Sequence, residues 1–209
     1  MTGPLIFLNG TSSAGKTSIA KAFQRLHGDP CLYASVDAFI FMFADHVRAN
    51  DAVRRKVLPS VISAFHRSLP VLAECGFPVV VDHVIESRKW VEECAIALSD
   101  FRAYFVGVHC SLEVLEERER KRGDRQIGFA RWQFERVHSY GEYDLTLDTS
   151  VLSPDQCAER LIALLGSDAT PSAFSRIQRE ANHPPLPTPV SGTPAVDAPV
   201  APPTKAADR

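Results

Sequence analysis

The sequence predicts an α/β fold in which helices cover both faces of a parallel sheet, giving three layers. Short apolar runs of strand length alternate with longer segments whose apolar residues recur at helical spacing. The run Val79-Val80-Val81 is apolar without alternation, as expected for a strand buried on both faces. A glycine-rich loop joins the first apolar run to the first helical segment. Strands that alternate with helices favour a parallel sheet, because each helix returns the chain to the same edge.

Five runs are predicted as strands, and together they would form a five-stranded parallel sheet. They are residues 5–9, 32–36, 78–81, 104–108 and 143–147. Helices are predicted at 16–26, 38–50, 52–75, 86–98, 112–122, 129–138 and 154–165. Pro59 and Pro70 should break or bend the longest helix, since proline lacks the amide hydrogen that a helix uses. Ser153 before Pro154 is typical of a helix N-terminus, with an N-cap residue followed by proline.

Composition changes near Gly166, after which Pro, Ala, Ser and Thr dominate. Proline removes backbone donors, and few large apolar residues remain to offset the entropy of ordering the chain. We therefore expect a domain over residues 1–166 and a disordered tail over residues 167–209, in which residues 172–181 could form a short helix. On this interpretation, a chain that ends near Ser167 would keep its thermal midpoint and its turnover.

Composition also argues against several classes of protein. The net charge is −2, so no basic excess favours nucleic acid or an anionic membrane. No apolar stretch approaches the roughly 18 residues of a membrane span, and the first residues lack the cationic start of a signal peptide. The five cysteines are scattered without a CxxC pair, which argues against disulfides or a zinc site. We expect a cytoplasmic protein with no nucleic-acid or membrane partner; the sequence does not indicate its oligomeric state.

A Walker A motif, GxxxxGK[ST], follows the first strand. It reads Gly10-Thr11-Ser12-Ser13-Ala14-Gly15-Lys16-Thr17 and is followed by Ser18. The glycines let successive N–H groups turn toward one anion, and the helix that begins near Lys16 adds its positive end. Lys16 can reach the β- and γ-phosphates, and the Thr17 hydroxyl can ligate Mg²⁺. Residues 10–18 are therefore the predicted binding site for ATP and Mg²⁺.

Two aspartates follow predicted strands: Asp37 comes after residues 32–36, and Asp82 after residues 78–81. In an open α/β sheet, ligands bind beyond the carboxyl ends of the strands, so both should lie beside the phosphate loop. The run before Asp82 has the form of a Walker B segment, which predicts Asp82 as the Mg²⁺ partner, directly or through water. Asp37 is then the predicted base for the acceptor hydroxyl. The alternative for each is a helix cap. His83 should point to the opposite side of its strand.

A cluster of cationic residues stands ahead of Gly128. Its members are Arg118, Arg120, Lys121, Arg122 and Arg125. Glycines on both sides of the following loop indicate that the helix stops and a mobile loop begins. Opposite a phosphate loop, an arginine loop is typical of a lid that excludes water and stabilises the transferring phosphoryl group. We therefore predict that Arg118 binds nucleotide and that Arg122 and Arg125, together with Lys16, act in catalysis. The alternative is a solvated basic helix paired with four nearby glutamates.

These residues resemble the chloramphenicol phosphotransferase family over about residues 5–165. The likeness rests on the Asn-Gly-x-Ser-Ser-Ala-Gly-Lys segment that starts at Asn9 and on the Arg-Gly-Asp-Arg segment that starts at Arg122. The other matching segments are Val36-Asp37, Asp82, 106–110, Gly128, Gln133, Val137-His138, Tyr143-Asp144 and Asp148-Thr149. The resemblance implies a small-kinase fold and transfer of the ATP γ-phosphate to an alcohol, with Asp37 matching the family's base.

The sequence therefore predicts a P-loop kinase fold of the nucleoside-monophosphate-kinase type and an ATP-dependent O-phosphotransferase that acts on a hydroxyl of a small molecule. An antibiotic such as chloramphenicol is one predicted acceptor, with resistance by O-phosphorylation as the consequence. The aromatic segment 38–43 departs from the family's pattern, so a nucleoside or other metabolite is an alternative acceptor. A further alternative is a non-catalytic, nucleotide-binding regulatory module, which would bind ATP without acceptor-dependent turnover.

Overall fold

A five-stranded parallel sheet forms the centre of the protein. The computed structural model describes residues 2–122 and 128–182, apart from the side chains of Arg122 and Phe129. The strands are β1 (Leu5–Asn9), β2 (Leu32–Ser35), β3 (Val79–His83), β4 (Ala103–His109) and β5 (Leu145–Asp148). Their order is β2-β3-β1-β4-β5, and every neighbouring pair is parallel. The α/β fold and the five-stranded parallel sheet predicted from the sequence are confirmed.

Helices connect the strands and pack on both faces of the sheet. They are α1 (Lys16–Leu26), α2 (Val36–Ile40), α3 (Asp45–Ala49), α4 (Asp51–Glu74), α5 (Arg88–Ala97), α6 (Leu112–Arg122), α7 (Phe129–Phe134), α8 (Pro154–Gly166) and α9 (Ala173–Asn182). The predicted N-terminus of α8 is confirmed, because Ser153 and Gln156 form a capping box ahead of Pro154. No helix in the described part of the chain is long and apolar enough to cross a membrane.

Successive residues of each central strand face opposite sides of the sheet and join two separate cores. One core lies under α4, α5 and α9, and the other lies under α1 and α8. Leu5 and Phe7 of β1 belong to the first core, whereas Ile6 and Leu8 belong to the second. Because both faces are covered, β1, β3 and most of β4 are fully buried, which explains their continuous apolar sequences.

The region after β2 differs from the single helix predicted at 38–50. Two short helices, α2 and α3, replace it. The last turn of α2 tightens, since the amides of Met42 and Phe43 donate to carbonyls three residues back, at Phe39 and Ile40. By contrast, α4 is continuous through Pro59 and Pro70. Each proline removes one helical hydrogen bond, whereas burial of the apolar face of α4, which includes Ile62, Phe65 and Leu69, stabilises the helix.

One helix of the predicted tail, α9, packs against the core of the domain. Ala173, Phe174 and Ile177 are buried, and the Phe174 ring lies 5.6 Å from Phe7 and 4.8 Å from Phe105. The short helix that the sequence allows at residues 172–181 is therefore present. The proline-rich composition did not indicate that it packs on the core, although its three buried residues lie on one helical face. Residues 183–209, the rest of the predicted tail, lie outside the described part of the chain.

Candidate active site

The phosphate loop joins the central strand β1 to α1 and has a backbone that few side chains tolerate. Gly15 has φ 93° and Ser13 has φ 64°, both in the left-handed region. A Cβ atom on Gly10 would lie 2.4 Å from the Val108 carbonyl oxygen, so β4 leaves no room for any other residue. The ammonium group of Lys16 donates to the carbonyl oxygens of Gly10 and Thr11, each at 2.9 Å. The backbone of the loop therefore surrounds the ammonium group of Lys16.

Asp82 lies beside the start of α1, because β3 pairs with β1 and places Asp82 opposite Leu8. Its Oδ2 accepts hydrogen bonds from the Thr17 hydroxyl at 2.7 Å and the Tyr33 hydroxyl at 3.0 Å. Its Oδ1 lies 3.7 Å from the Lys16 ammonium. The structure thus brings together the two residues predicted to hold Mg²⁺. It also adds Tyr33, which sequence reasoning missed because nothing local marks it.

The Thr17 and Asp82 oxygens are chemically suited to Mg²⁺, which prefers oxygen ligands and is usually bound through one or two carboxylates and substrate phosphates. Within residues 2–122 and 128–182, no group of three or more His, Cys, Asp or Glu side chains could hold a metal ion. The pair fits a cation that arrives with a nucleotide.

Asp37 lines the same cavity as the phosphate loop and Asp82. The cavity has a volume of about 470 Å³. β2 pairs with β3 and sets Ser35 opposite Asp82, so α2 begins beside Asp82. The Ser35 hydroxyl caps α2 by accepting from the Asp37 amide at 3.3 Å. Since Ser35 fills the capping role, the side chain of Asp37 is not needed as a cap.

Arg118 takes a different position from the one predicted for a lid. It lies within α6, and its guanidinium donates to the Thr149 carbonyl oxygen at 2.8 Å and to the Thr149 hydroxyl at 3.1 Å. A longer bond of 3.4 Å reaches the Ser13 carbonyl oxygen. Arg118 also lines the cavity. It therefore forms a fixed wall beside the phosphate loop, because Thr149 at the end of β5 holds it there.

The rest of the arginine cluster is only partly described. Arg125 and the predicted loop at 123–127 lie outside the described residues, as does the side chain of Arg122. Their catalytic roles remain predictions. The alternative of a solvated basic helix holds for Lys121, which pairs with Glu117 on the surface at 2.5 Å. Glu119 is instead buried and accepts from the amides of Gly128 and Ala130, so it caps α7.

Two half-buried histidines, one at the end of β4 and one after α7, form a stacked pair. The rings of His109 and His138 stack at 3.8 Å between centroids. The Tyr143 hydroxyl accepts from Asn9 at 2.8 Å and lies 2.7 Å from His138 Nδ1. Burial, with smaller contributions from His109 and Lys16, lowers the pKa of His138 to about 4. Burial also raises the pKa of Tyr143, so this network is neutral around pH 7.

The low pKa of His138 predicts that the fold weakens in acid. An unfolded histidine has a pKa near 6.5, so the unfolded chain binds more protons between about pH 6.5 and pH 4. The contribution of neutral His138 to the free energy of unfolding is complete above pH 6.5 and is lost as the pH falls toward 4. At pH 5 the loss from His138 is at most about 2 kcal/mol. Urea unfolding at pH 7.5 and pH 5 measures the difference in unfolding free energy.

Two variants test whether His138 causes this loss of stability in acid. His138→Gln should reduce the difference in unfolding free energy between the two pH values, because the titrating ring is gone. His46→Gln, which changes an exposed histidine on α3, should leave the difference unchanged. Equal pH dependence in His138→Gln and the unchanged protein would show that His138 is not responsible.

On the other side of the sheet, His83 points away from the cavity, as expected. It is fully buried, and its Nε2 lies 2.8 Å from Nε2 of His66, whose Nδ1 lies 3.0 Å from Glu93. The Val84 amide donates to His83 Nδ1 at 2.7 Å, so the proton of His83 must sit on Nε2. His66 then donates to Glu93. The network completes the hydrogen bonding of two buried rings.

Comparison with known proteins gives the chain a family match. Residues 3–165 match the family described as chloramphenicol phosphotransferase-like protein. A Mycobacterium tuberculosis protein with the provisional name O-phosphotransferase Rv2636 is 30% identical to this chain. The matched region covers 85% of this chain and 88% of that protein.

Solved kinase structures share the fold. The APS kinase CysC of Mycobacterium tuberculosis gives a TM-score of 0.63 at 20% identity, covering 79% of this chain and 99% of that one. A gluconokinase from Sinorhizobium meliloti gives a TM-score of 0.51 at 20% identity, covering 88% of this chain and 98% of that one. At such low identity the likeness shows the P-loop kinase fold alone.

Proposed function

The chain belongs to the chloramphenicol phosphotransferase-like family, and from this premise we propose that it transfers the γ-phosphate of ATP to a hydroxyl group of a small molecule. The observation that carries the proposal is the shared cavity. The phosphate loop, the Thr17–Asp82 pair and Asp37 line a single space of about 470 Å³. A donor phosphate and an acceptor hydroxyl can therefore meet there, with a carboxylate on the acceptor side.

In the proposed reaction, the acceptor hydroxyl gives its proton to the Asp37 carboxylate, and its oxygen forms a bond to the γ-phosphorus. The bond between that phosphorus and the β–γ bridging oxygen breaks, and ADP leaves with the electron pair. Lys16 and the loop amides hold the phosphates, while Thr17 and Asp82 would hold Mg²⁺. When bound, Mg²⁺ would neutralise phosphate charge. Because such transfers pass through a loose transition state, positioning and charge stabilisation supply most of the acceleration.

Exposed apolar side chains follow Asp37 in the chain, outside the residues that line the cavity. Phe41 lies one helical turn after Asp37, and its side chain is 58% exposed. Met42 beside it is 75% exposed. Contiguous patches of exposed apolar side chains commonly mark binding surfaces. We therefore propose an acceptor with an apolar or aromatic part, of which an aryl alcohol such as chloramphenicol is one example, with antibiotic resistance as the consequence. A nucleoside or other metabolite is the alternative acceptor.

An acceptor screen tests the proposed function. Conversion of ATP to ADP is followed with Mg²⁺ and a panel containing chloramphenicol, other aryl alcohols, nucleosides and sugars. We expect ADP release to depend on an acceptor, and mass spectrometry to show that acceptor carrying a phosphoryl group. Turnover with nucleosides alone would favour the metabolite kinase. Tight ATP binding without acceptor-dependent turnover across a broad panel would instead support the regulatory module.

The proposed metal role of Asp82 predicts a defect that depends on magnesium. Asp82→Asn should raise the Mg²⁺ concentration for half-maximal rate by about tenfold or more, because an amide is a weaker ligand than a carboxylate. Initial rates across a Mg²⁺ titration at saturating ATP measure it. Tyr33→Phe is the matched control, since it removes a hydrogen bond to Asp82 but keeps the carboxylate. An unchanged Mg²⁺ requirement in Asp82→Asn would rule out the metal role.

A further inference from the structure

Gln133 contacts the phosphate loop and the segment after β3 at the same time. Its side chain is 2% exposed. Its Oε1 accepts from the Ser12 backbone amide at 2.6 Å, and its Nε2 donates to Glu86 Oε1 at 2.6 Å. An amide oxygen can only accept and an amide nitrogen can only donate, so these two partners fix the orientation of the side chain.

The helix that carries Gln133 is held at both ends. At its start, Glu119 accepts from the amides of Gly128 at 2.7 Å and Ala130 at 2.9 Å. Beyond its end, the Val137 carbonyl accepts from the Asn9 side chain at 2.9 Å. α7 has six residues and is too short to be stable by itself. These contacts therefore set the position of α7 and hold Gln133 against the phosphate loop.

Glu86 is the other partner of Gln133 and lies in a charged, partly buried setting. Burial raises the pKa of Glu86, whereas the bond from Gln133 and the charges of Arg54 on α4 and Arg136 after α7 act in the opposite direction. The Tyr140 hydroxyl donates to the Glu86 carbonyl oxygen at 2.8 Å and fixes the backbone. Glu86 thus presents a carboxylate oxygen that Gln133 can use as an anchor.

We propose that Gln133 is a positioning residue of the phosphate loop, which it holds through the Ser12 amide while Glu86 anchors Gln133 in turn. The inference rests on the proposed function, since it takes the loop to be the ATP site. Ser12 lies in the middle of the motif, so holding its amide restricts the loop before the phosphates arrive. A loop that is already held in its binding conformation loses less conformational entropy when ATP binds. The hydrogen bond between Ser12 and Gln133 should therefore give a higher ATP affinity than a loop without it.

Exchanging the amide of Gln133 and the carboxylate of Glu86 between the two positions tests this arrangement. In Gln133→Glu the new carboxylate can still accept from Ser12, but it faces the carboxylate of Glu86 and cannot donate to it. We expect ATP to bind at least about tenfold more weakly at pH 8. The loss should be smaller at pH 6, where the two carboxyl groups can share a proton. In the double variant Gln133→Glu with Glu86→Gln, residue 86 becomes the donor and every hydrogen bond can form again. Its affinity should return to within about threefold of the unchanged protein.

The readout is the ATP dissociation constant of the folded protein, measured by calorimetry with Mg²⁺ below the thermal midpoint of each variant. Glu135→Gln removes one charge from an exposed position just after α7 and serves as the control. Gln133→Met, of similar size, should weaken ATP binding equally at pH 6 and pH 8, because it has no titrating group.

The outcomes separate the inference from the function on which it rests. If the unchanged protein fails to bind ATP, the proposed function is wrong. If it binds ATP, and Gln133→Glu or Gln133→Met lowers only the thermal midpoint, Gln133 is merely structural and the proposal is overturned. A double variant that binds no better than Gln133→Glu would also overturn it, since the exchange should restore the anchor.

Discussion

Replacing Asp37 with asparagine should lower kcat by about 10²- to 10⁴-fold, because asparagine has the same shape but cannot accept the proton of the acceptor hydroxyl. ATP affinity should change little. The cap of α2 is formed by the Ser35 hydroxyl and the Asp37 backbone amide, so the substitution leaves the local fold intact. Steady-state rates at saturating ATP and acceptor, together with ATP binding by calorimetry, measure both quantities.

The matched control is Asp29→Asn, which removes one negative charge from an exposed position after α1. This variant should keep kcat within about twofold, as expected for a surface charge. If excess Mg²⁺ restored the rate of Asp37→Asn, Asp37 would be the metal partner rather than the base. A loss of only a few-fold without any Mg²⁺ effect would mean that another group takes the proton.

A chain that ends at Ser167 should be largely unfolded at 37 °C, in contrast to the prediction made from composition. It would lose α9 and expose the core beneath Phe174, which packs on Phe7 and Phe105. Truncating a buried phenylalanine to alanine alone costs about 3–5 kcal/mol, against a typical total stability of about 5–15 kcal/mol. The Asp144 carboxylate would also lose the hydrogen bonds that it accepts from the backbone amides of Ser172 and Ala173, at 2.8 and 2.9 Å.

Thermal and urea unfolding measure this loss in three variants. Phe174→Ala should lower the free energy of unfolding by about 3–5 kcal/mol. Ser175→Ala, at an exposed position of the same helix, should change it by less than about 0.5 kcal/mol. A chain that ends after Asn182 should unfold like the full chain. If the chain ending at Ser167 kept its thermal midpoint, α9 would contribute nothing to stability and the domain would end at residue 166, as composition predicts.

Local patterns in the sequence predicted most of the fold and the centre of the site. The strand bounds of β1 and the helix bounds of α1 agree with the prediction because strand and helix periodicity is a property of neighbouring residues. The glycine spacing of the phosphate loop is likewise a local requirement on the backbone. Asp37 and Asp82 could be placed near the loop because parallel strands end at the same edge of the sheet.

Other features required the tertiary structure because they join residues far apart in the chain. Arg118 is held by Thr149, 31 residues later, and Ser12 by Gln133, 121 residues later. The strand order sets Asp82 between the phosphate loop and Asp37, and periodicity carries no information about order. The sequence by itself determined which segments become strands, helices and a phosphate loop, since these depend on near neighbours. Only the tertiary structure decided that α9 belongs to the core and that Gln133 reaches the loop, because burial and hydrogen bonding depend on what the folded chain brings into contact.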